Sequence, residues 1–205
     1  RSANRITRLA IEVPHILRKL RPDFAHFQYF TPISKSCDWI VTIHDVLFND
    51  FPAYFPPNYR RLRDLLFPLS ARRADILTTV SPYSRSRISH WYHIDPTRIM
   101  ITSNGVQLVE PTATTRDAAR AAGQPDGRYL ICVSRFEPRK NQVALLEAFL
   151  KMQLWNRGLA LVFVGARTLA SSAFDEVLVQ APAAARAAVH LLSGVSPEAL
   201  TGLVA

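Results

Sequence analysis

Strand-length apolar runs alternate along this chain with longer amphipathic segments, and that alternation limits the fold more than any other feature. Residues 24–28, 39–43, 76–80, 99–102, 129–134, 159–164 and 189–192 read as strands. Between them, 6–20, 58–74, 82–93, 142–154 and 174–180 read as helices, and a last helix starts at Ser196-Pro197. Short apolar strands separated by helix-length connections call for parallel sheets, because a parallel neighbour is reached only through a crossover. The expected class is therefore α/β, with two doubly wound, Rossmann-like parallel sheets in succession.

Local signals refine the pattern. Pro14 should kink the first helix, since it lacks an N–H and its ring crowds the preceding turn. In 58–74, Leu62, Leu65, Leu66 and Leu69 fall on one face. Ser81-Pro82 and Ser196-Pro197 each place a hydroxyl cap before a proline at the first helical position. Residues 51–57 form a proline-punctuated loop. From Val109 to Arg128 the composition shifts to Pro, Thr, Ala, Gly and charge, which reads as an inter-domain connection with a short helix near 116–122. The expected division is 1–108, a connection over 109–127, and 128–205. The first domain is expected to lack its beginning and the second its end.

Composition excludes some classes. Hydrophobic residues at 48% and charged residues at 20% argue for a packed core and against disorder. No run approaches the roughly 20 apolar residues of a membrane-spanning helix. The two cysteines, Cys37 and Cys132, are far apart, and Cys132 reads as a small buried thiol, so a reducing, cytoplasmic setting is expected. The net charge of +9 lies mainly before Glu110. It is spread through helices without a basic tail or an aromatic-basic motif. That argues against nucleic acid and leaves a phosphorylated substrate or peripheral contact with an anionic inner-membrane face.

Three places carry candidate chemistry. His44 and Asp45 follow the strand 39–43, and ligands of open parallel sheets bind beyond the carboxyl ends of strands. A histidine there can move a proton or hold a sugar hydroxyl; the alternative is a solvated loop histidine capped by its neighbour. Ser134 through Asn141 lead from a strand to a helix start, where free backbone N–H groups favour anions. Arg135 as a planar fork and Lys140 as a point charge suit a diphosphate, and a basic surface loop is the other reading. The loop has neither a GxGxxG nor a P-loop pattern. Asn104-Gly105 reads as a tight turn at positive φ. His26 reads as a satisfied core residue. His90 and His93 have no acids at ligand spacing, so no metal site is expected.

Together these segments resemble family-4 glycosyltransferases of the GT-B architecture. The resemblance rests on Val41 to Asp45, Ala71 to Asp75, Val80 to Ser84, Asn104 to Val106, Ser134 to Asn141, Gly165, and Gly194 to Ser196. It is to the branch with Glu-Pro-Arg-Lys-Asn in the donor loop, often bacterial mannosyltransferases of polysaccharide or lipopolysaccharide synthesis. It implies a retaining, metal-independent transfer from a nucleotide diphosphate sugar, GDP-mannose favoured, to a glycan or lipid-linked hydroxyl. It makes His44 the catalytic residue near the reacting sugar and Arg135 and Lys140 the holders of the diphosphate. Asp45, Asn104, Gly105, Ser134 and Glu137 are further contacts with the sugar or cleft. The family usually has Gly where Ser134 stands. Its Gly-rich first loop is expected before Arg1 and its paired-glutamate motif after Ala205, so this segment alone should be inactive. The competing readings are a noncatalytic sugar-nucleotide-binding fragment and a sugar-nucleotide epimerase of the same architecture.

Overall fold

Four apolar runs of the first half become neighbours in chain order. A computed structural model of the chain describes residues 7–106, 109–167 and 172–205. In it β1 (Phe24–Gln28), β2 (Asp38–Thr42), β3 (Ile76–Thr79) and β4 (Ile99–Ile101) form one parallel sheet in the order β1-β2-β3-β4. A second parallel sheet follows, β5 (Arg128–Val133), β6 (Leu159–Val164) and β7 (Val189–Leu192), in the order β5-β6-β7. The chain divides into two units, Arg1–Val106 and Gln107–Ala205. Both are the α/β layers that the alternation requires.

Each sheet is buried where its strands are central. In the first unit Trp39, Val41, Ile43, Leu77 and Ile99 lie in the core with Ile88 from the helix Pro82–Tyr92. In the second, β6 sends Leu161 and Phe163 into a cluster with Leu146, Phe149 and Phe174. Its alternate residues Val162 and Val164 meet Ala119 and Leu203 on the other side. A strand covered on both faces reads as a continuous apolar run, as 159–164 does.

Several sequence expectations change in detail. The start of the first helix at Ile6 lies outside the described residues. At Pro14 the helix changes type: a π-helical segment, Arg8–Glu12, gives way to a regular helix, Val13–Leu20, with Pro14 in its first turn. The wider π turn accommodates a residue that cannot donate. Expected at 142–154, the fourth helix is Gln142–Lys151 and stops where Gln153 turns to φ 50°. A short helix, Ala183–Ala187, had no periodic signal. The stretch 109–127 holds the helix Ala113–Ala121, earlier than expected because Thr112 and Thr115 cap it reciprocally. Gly202 lets the helix Pro197–Val204 approach it: an added Cβ there would stand 2.1 Å from the Thr115 carbonyl oxygen.

Two departures concern orientation. His26 is not a core residue. It lies on the exposed face of β1, and its Nε2 is 2.7 Å from Thr42 Oγ1, which in turn is 2.7 Å from Thr78 Oγ1. The helix Pro57–Arg73 turns Phe67, Ser70 and Ala71 toward the core, with Leu66 packed against its edge, and turns Leu62, Leu65 and Leu69 away from it. Phe67 stacks on Tyr29 at 4.7 Å and meets Phe30 and Phe48 edge-on, while Ser70 accepts the Thr31 N–H at 3.1 Å. Aromatic packing and small-residue contact outweigh the leucine periodicity.

One ion pair ties the segment after His44 to the helix Pro82–Tyr92. Asp50, which ends the short helix Leu47–Asp50, accepts Arg87 Nε at 2.8 Å and Trp91 Nε1 at 2.7 Å. Burial raises the pKa of its carboxyl, but the bonds from Arg87 and Trp91 outweigh that and hold it below its ordinary value. The Asp50 side chain is 9% exposed, yet Arg87 keeps 31% of its surface in water. Screening should therefore limit the loss in Asp50→Ala to about 1–2 kcal/mol. A depressed folded-state pKa adds stability that is present above about pH 4 and is lost as pH falls through the folded value. Urea unfolding of both proteins from about pH 7 to about pH 3 should show the gap closing at the acid end; a constant gap would contradict the pairing.

Candidate functional site

Parallel pairing sets the first candidate site. Tyr29 N–H donates to Thr42 O at 3.0 Å and Ile43 N–H to Thr78 O at 3.0 Å, so the ladder runs to the ends of β1 and β2 and releases the chain at His44. His44 is half-buried and its ring has no hydrogen-bond partner among the described residues. Asp45 is exposed, and its Oδ1 accepts Leu47 N–H at 3.2 Å. That carboxylate caps the following turn, not the histidine ring.

Tyr29 completes the surroundings of His44, and nothing in the sequence marks it. Its ring lies 5.4 Å from that of His44, centroid to centroid, and its backbone takes φ 65°. A bulky residue in the left-handed region is strained, and here packing against Phe67 holds it. Burial first, then the charge of Asp45, pushes the Tyr29 phenol up to about 12.

Asn104 and Gly105 follow β4 as exposed chain. Neither takes positive φ, and nothing lies within 4 Å of a Cβ built on Gly105. The expected tight turn at positive φ is absent here.

The second candidate site belongs to the second unit. Ser134 N–H donates to Val164 O at 2.9 Å and Phe136 N–H to Ala166 O at 3.0 Å, which holds the loop after β5 against the end of β6. Phe136 anchors it in the core beside Phe163 and Phe174. Gln142, buried at the helix start, donates through Nε2 to Ser134 Oγ and to Arg135 O, each at 2.8 Å. Ser134 thus serves as a strut of the loop. Cys132, half-buried, has its Sγ 3.9 Å from Ser134 Oγ.

Charge in this loop is only partly neutralised within it. Glu137 pairs with Arg139 at 2.7 Å and lies 3.8 Å from Arg135 Nε. Arg139, which sequence reasoning passed over, therefore takes most of the Glu137 carboxylate. Arg135 is 70% exposed, and the exposed Lys140 has no ion-pair partner among the described residues. Asn141, at φ 53°, starts the helix Gln142–Lys151 without a side-chain cap, so its first-turn amides stay open. Lys140 and the loosely paired Arg135, beside open helix amides, can take a multiply charged anion. Among the described residues no three of His, Cys, Asp and Glu gather as metal ligands.

Residues 1–110 match the sequence profile of Glycosyltransferase Family 4. HepE from Anabaena, solved in complex with UDP and glucose, is similar in structure with a TM-score of 0.64 at 16% identity, covering 98% of this chain and 55% of that one. The catalytic domain of starch synthase IV from Arabidopsis thaliana, bound to ADP and acarbose, gives 0.59 at 13% identity over 94% and 52%. TarM from S. aureus, a mutant solved with fondaparinux, alpha-GlcNAc-glycerol and UDP, gives 0.55 at 14% identity over 87% and 35%. At these identities the likeness establishes the fold, that of two parallel α/β units. The chain spans about half the length of HepE, at 55%. No curated protein sequence matches it.

The loop depends on Gly165. A Cβ there would stand 2.1 Å from the Ser134 carbonyl oxygen and 2.6 Å from its carbon, and backbone cannot swing aside as a side chain can. Gly165→Ala should cost roughly 2–3 kcal/mol of stability. Gly105→Ala, in open space, should stay within about 0.5 kcal/mol. Denaturant midpoints of the two variants check this; equal losses would contradict both placements.

Proposed function

Because the chain belongs to glycosyltransferase family 4, we propose that its protein moves a sugar from a nucleotide diphosphate sugar to a hydroxyl acceptor with retention of anomeric configuration. The observation that carries this reading is the loop of residues 134–141. Arg135 and Lys140 flank an uncapped helix start, with Glu137 committed mainly to Arg139. Transfer leaves negative charge on the departing diphosphate, and preorganised cations and amides stabilise it as it develops. These groups supply that charge without a metal. Mannose from GDP-mannose is the donor that the loop sequence favours. The UDP of HepE and TarM makes a UDP-sugar the competing donor.

His44 is assigned to the sugar end. Its ring is free to hold a sugar hydroxyl or a proton, and Tyr29 limits its rotation. Asp45, Asn104 and Gly105 are assigned as further contacts, and Ser134 and Glu137 as supports of the donor loop. The acceptor is a glycan or lipid-linked sugar of polysaccharide or lipopolysaccharide synthesis. The protein would meet it at the cytoplasmic side of an anionic membrane, which suits the basic excess of the first unit. Among the described residues no helix is long and apolar enough to cross a membrane.

Calorimetry with GDP and UDP on the full-length protein tests the donor site. Arg135→Ala and Lys140→Ala should each weaken binding about 10- to 100-fold, or roughly 1.5–3 kcal/mol. Unchanged affinity in both would remove them from the site. His44→Ala should lower kcat with little change in donor affinity. A variant that loses donor affinity but turns over bound donor normally would put His44 elsewhere. Tight donor binding with no transfer to any sugar acceptor would favour a noncatalytic binding protein.

A further inference from the structure

Gln142 opens the helix Gln142–Lys151, yet its side chain is buried beneath the loop that follows β5. Its Nε2 lies 2.8 Å from Ser134 Oγ and 2.8 Å from Arg135 O. A carbonyl oxygen can only accept, so the end of the amide that faces Arg135 O is the NH2 group and not the oxygen. That contact locks the amide in one orientation. The second hydrogen of the same NH2 group is then donated to Ser134 Oγ, which accepts it.

The polarity of one hydroxyl follows from this. A serine hydroxyl carries one hydrogen and two lone pairs, and Gln142 engages a lone pair while leaving the hydrogen unused. Cys132 Sγ, 3.9 Å from Ser134 Oγ, is a weak acceptor at the outer edge of hydrogen-bond range. An anionic oxygen is a far better one, since bonds to an ionised partner are roughly twice as strong as neutral ones. The backbone does not compete for that role. Ser134 N–H is given to Val164 O and Phe136 N–H to Ala166 O, so β6 and its following residue consume both of these amides. What Ser134 has left for a ligand is its hydroxyl proton, on a side chain that stays half-buried beside Arg135.

We propose that Gln142 is a positioning residue of the donor site: it holds the Ser134 hydroxyl as an acceptor on one side, so that its proton is donated to a phosphate oxygen of the bound nucleoside diphosphate. This deepens the donor reading above and rests on it. Arg135, 70% exposed, and Lys140 bring charge on long, mobile side chains. Ser134, held from below by a buried amide, adds a neutral donor at a fixed point, and such preorganised donors need no rearrangement when the ligand arrives.

Side-chain amide NMR of Gln142 in the full-length protein reads this bond directly. When the Ser134 hydroxyl donates to phosphate, its oxygen becomes a stronger acceptor, so the Gln142 proton facing it should move downfield as GDP or UDP saturates the protein. Guanosine and uridine, which carry no phosphate, should leave that proton in place. In calorimetry Ser134→Ala should bind GDP or UDP about tenfold more weakly. Gln142→Met keeps the hydroxyl but no longer orients it, and should lose about threefold. Denaturant midpoints should rank the variants the other way, because Gln142→Met breaks both internal bonds and Ser134→Ala only one. A support role alone would make affinity follow stability. Equal or greater affinity loss in Gln142→Met would therefore overturn the proposal, as would a Gln142 proton that does not respond at saturating nucleotide. Binding that depends on Arg135 and Lys140 but is untouched by Ser134→Ala would sink this proposal and leave the donor reading standing. A wild type that binds neither nucleotide would remove both.

Discussion

Parallel pairing is the constraint from which the rest of this structure follows. It delivers the carboxyl end of every strand to the same edge of its sheet, and each crossover must then leave that edge as a loop before a helix can form. His44 follows β2, Asn104 follows β4 and the loop 134–141 follows β5 for this one reason. The strands set where these residues emerge, and local contacts decide what each can do there. Tyr29 holds the His44 ring from one side, and the bare Cα of Gly165 allows the Ser134 backbone to close on β6. Neither Tyr29 nor Gly165 would itself touch a substrate.

Electrostatics divides the chain's cations into occupied and available ones. Arg87 is spent on Asp50, Lys35 on Asp75 and Arg139 on Glu137. In the loop after β5, Arg135 is only loosely paired, its Nε 3.8 Å from Glu137, and Lys140 has no ion-pair partner among the described residues. Loosely held positive charge beside open helix amides is a polar, compact setting that suits a small multiply charged anion.

How much of this was legible in the sequence depended on range. Strand 159–164 matched to the residue because a buried parallel strand is uniformly apolar, and here glycines bound it on both sides. Ser81 and Ser196 cap their helices as their hydroxyls suggested, since capping is local. The errors came from contacts between distant segments. The leucines of 58–74 share a face, as periodicity said, but only the rings of Tyr29, Phe30 and Phe48 show that Phe67 wins the core. His26 reads as interior by its position in a strand, yet its hydroxyl partner Thr42 sits on β2 and is tied in turn to Thr78 on β3, and its own face of β1 is open. In the candidate sites, the residue types at 44, 135 and 140 were readable. The commitment of Glu137 to Arg139 and the packing of Tyr29 beside His44 were not.

The central claim is that the loop between β5 and the helix Gln142–Lys151 receives the diphosphate. Backbone amide NMR of the full-length protein, titrated with GDP and with UDP, tests it residue by residue. The account predicts that the amides of 134–137 and 139–143 shift first and furthest, with the same loop responding to both nucleotides. Saturable binding that moves amides elsewhere and leaves this loop unperturbed would contradict it.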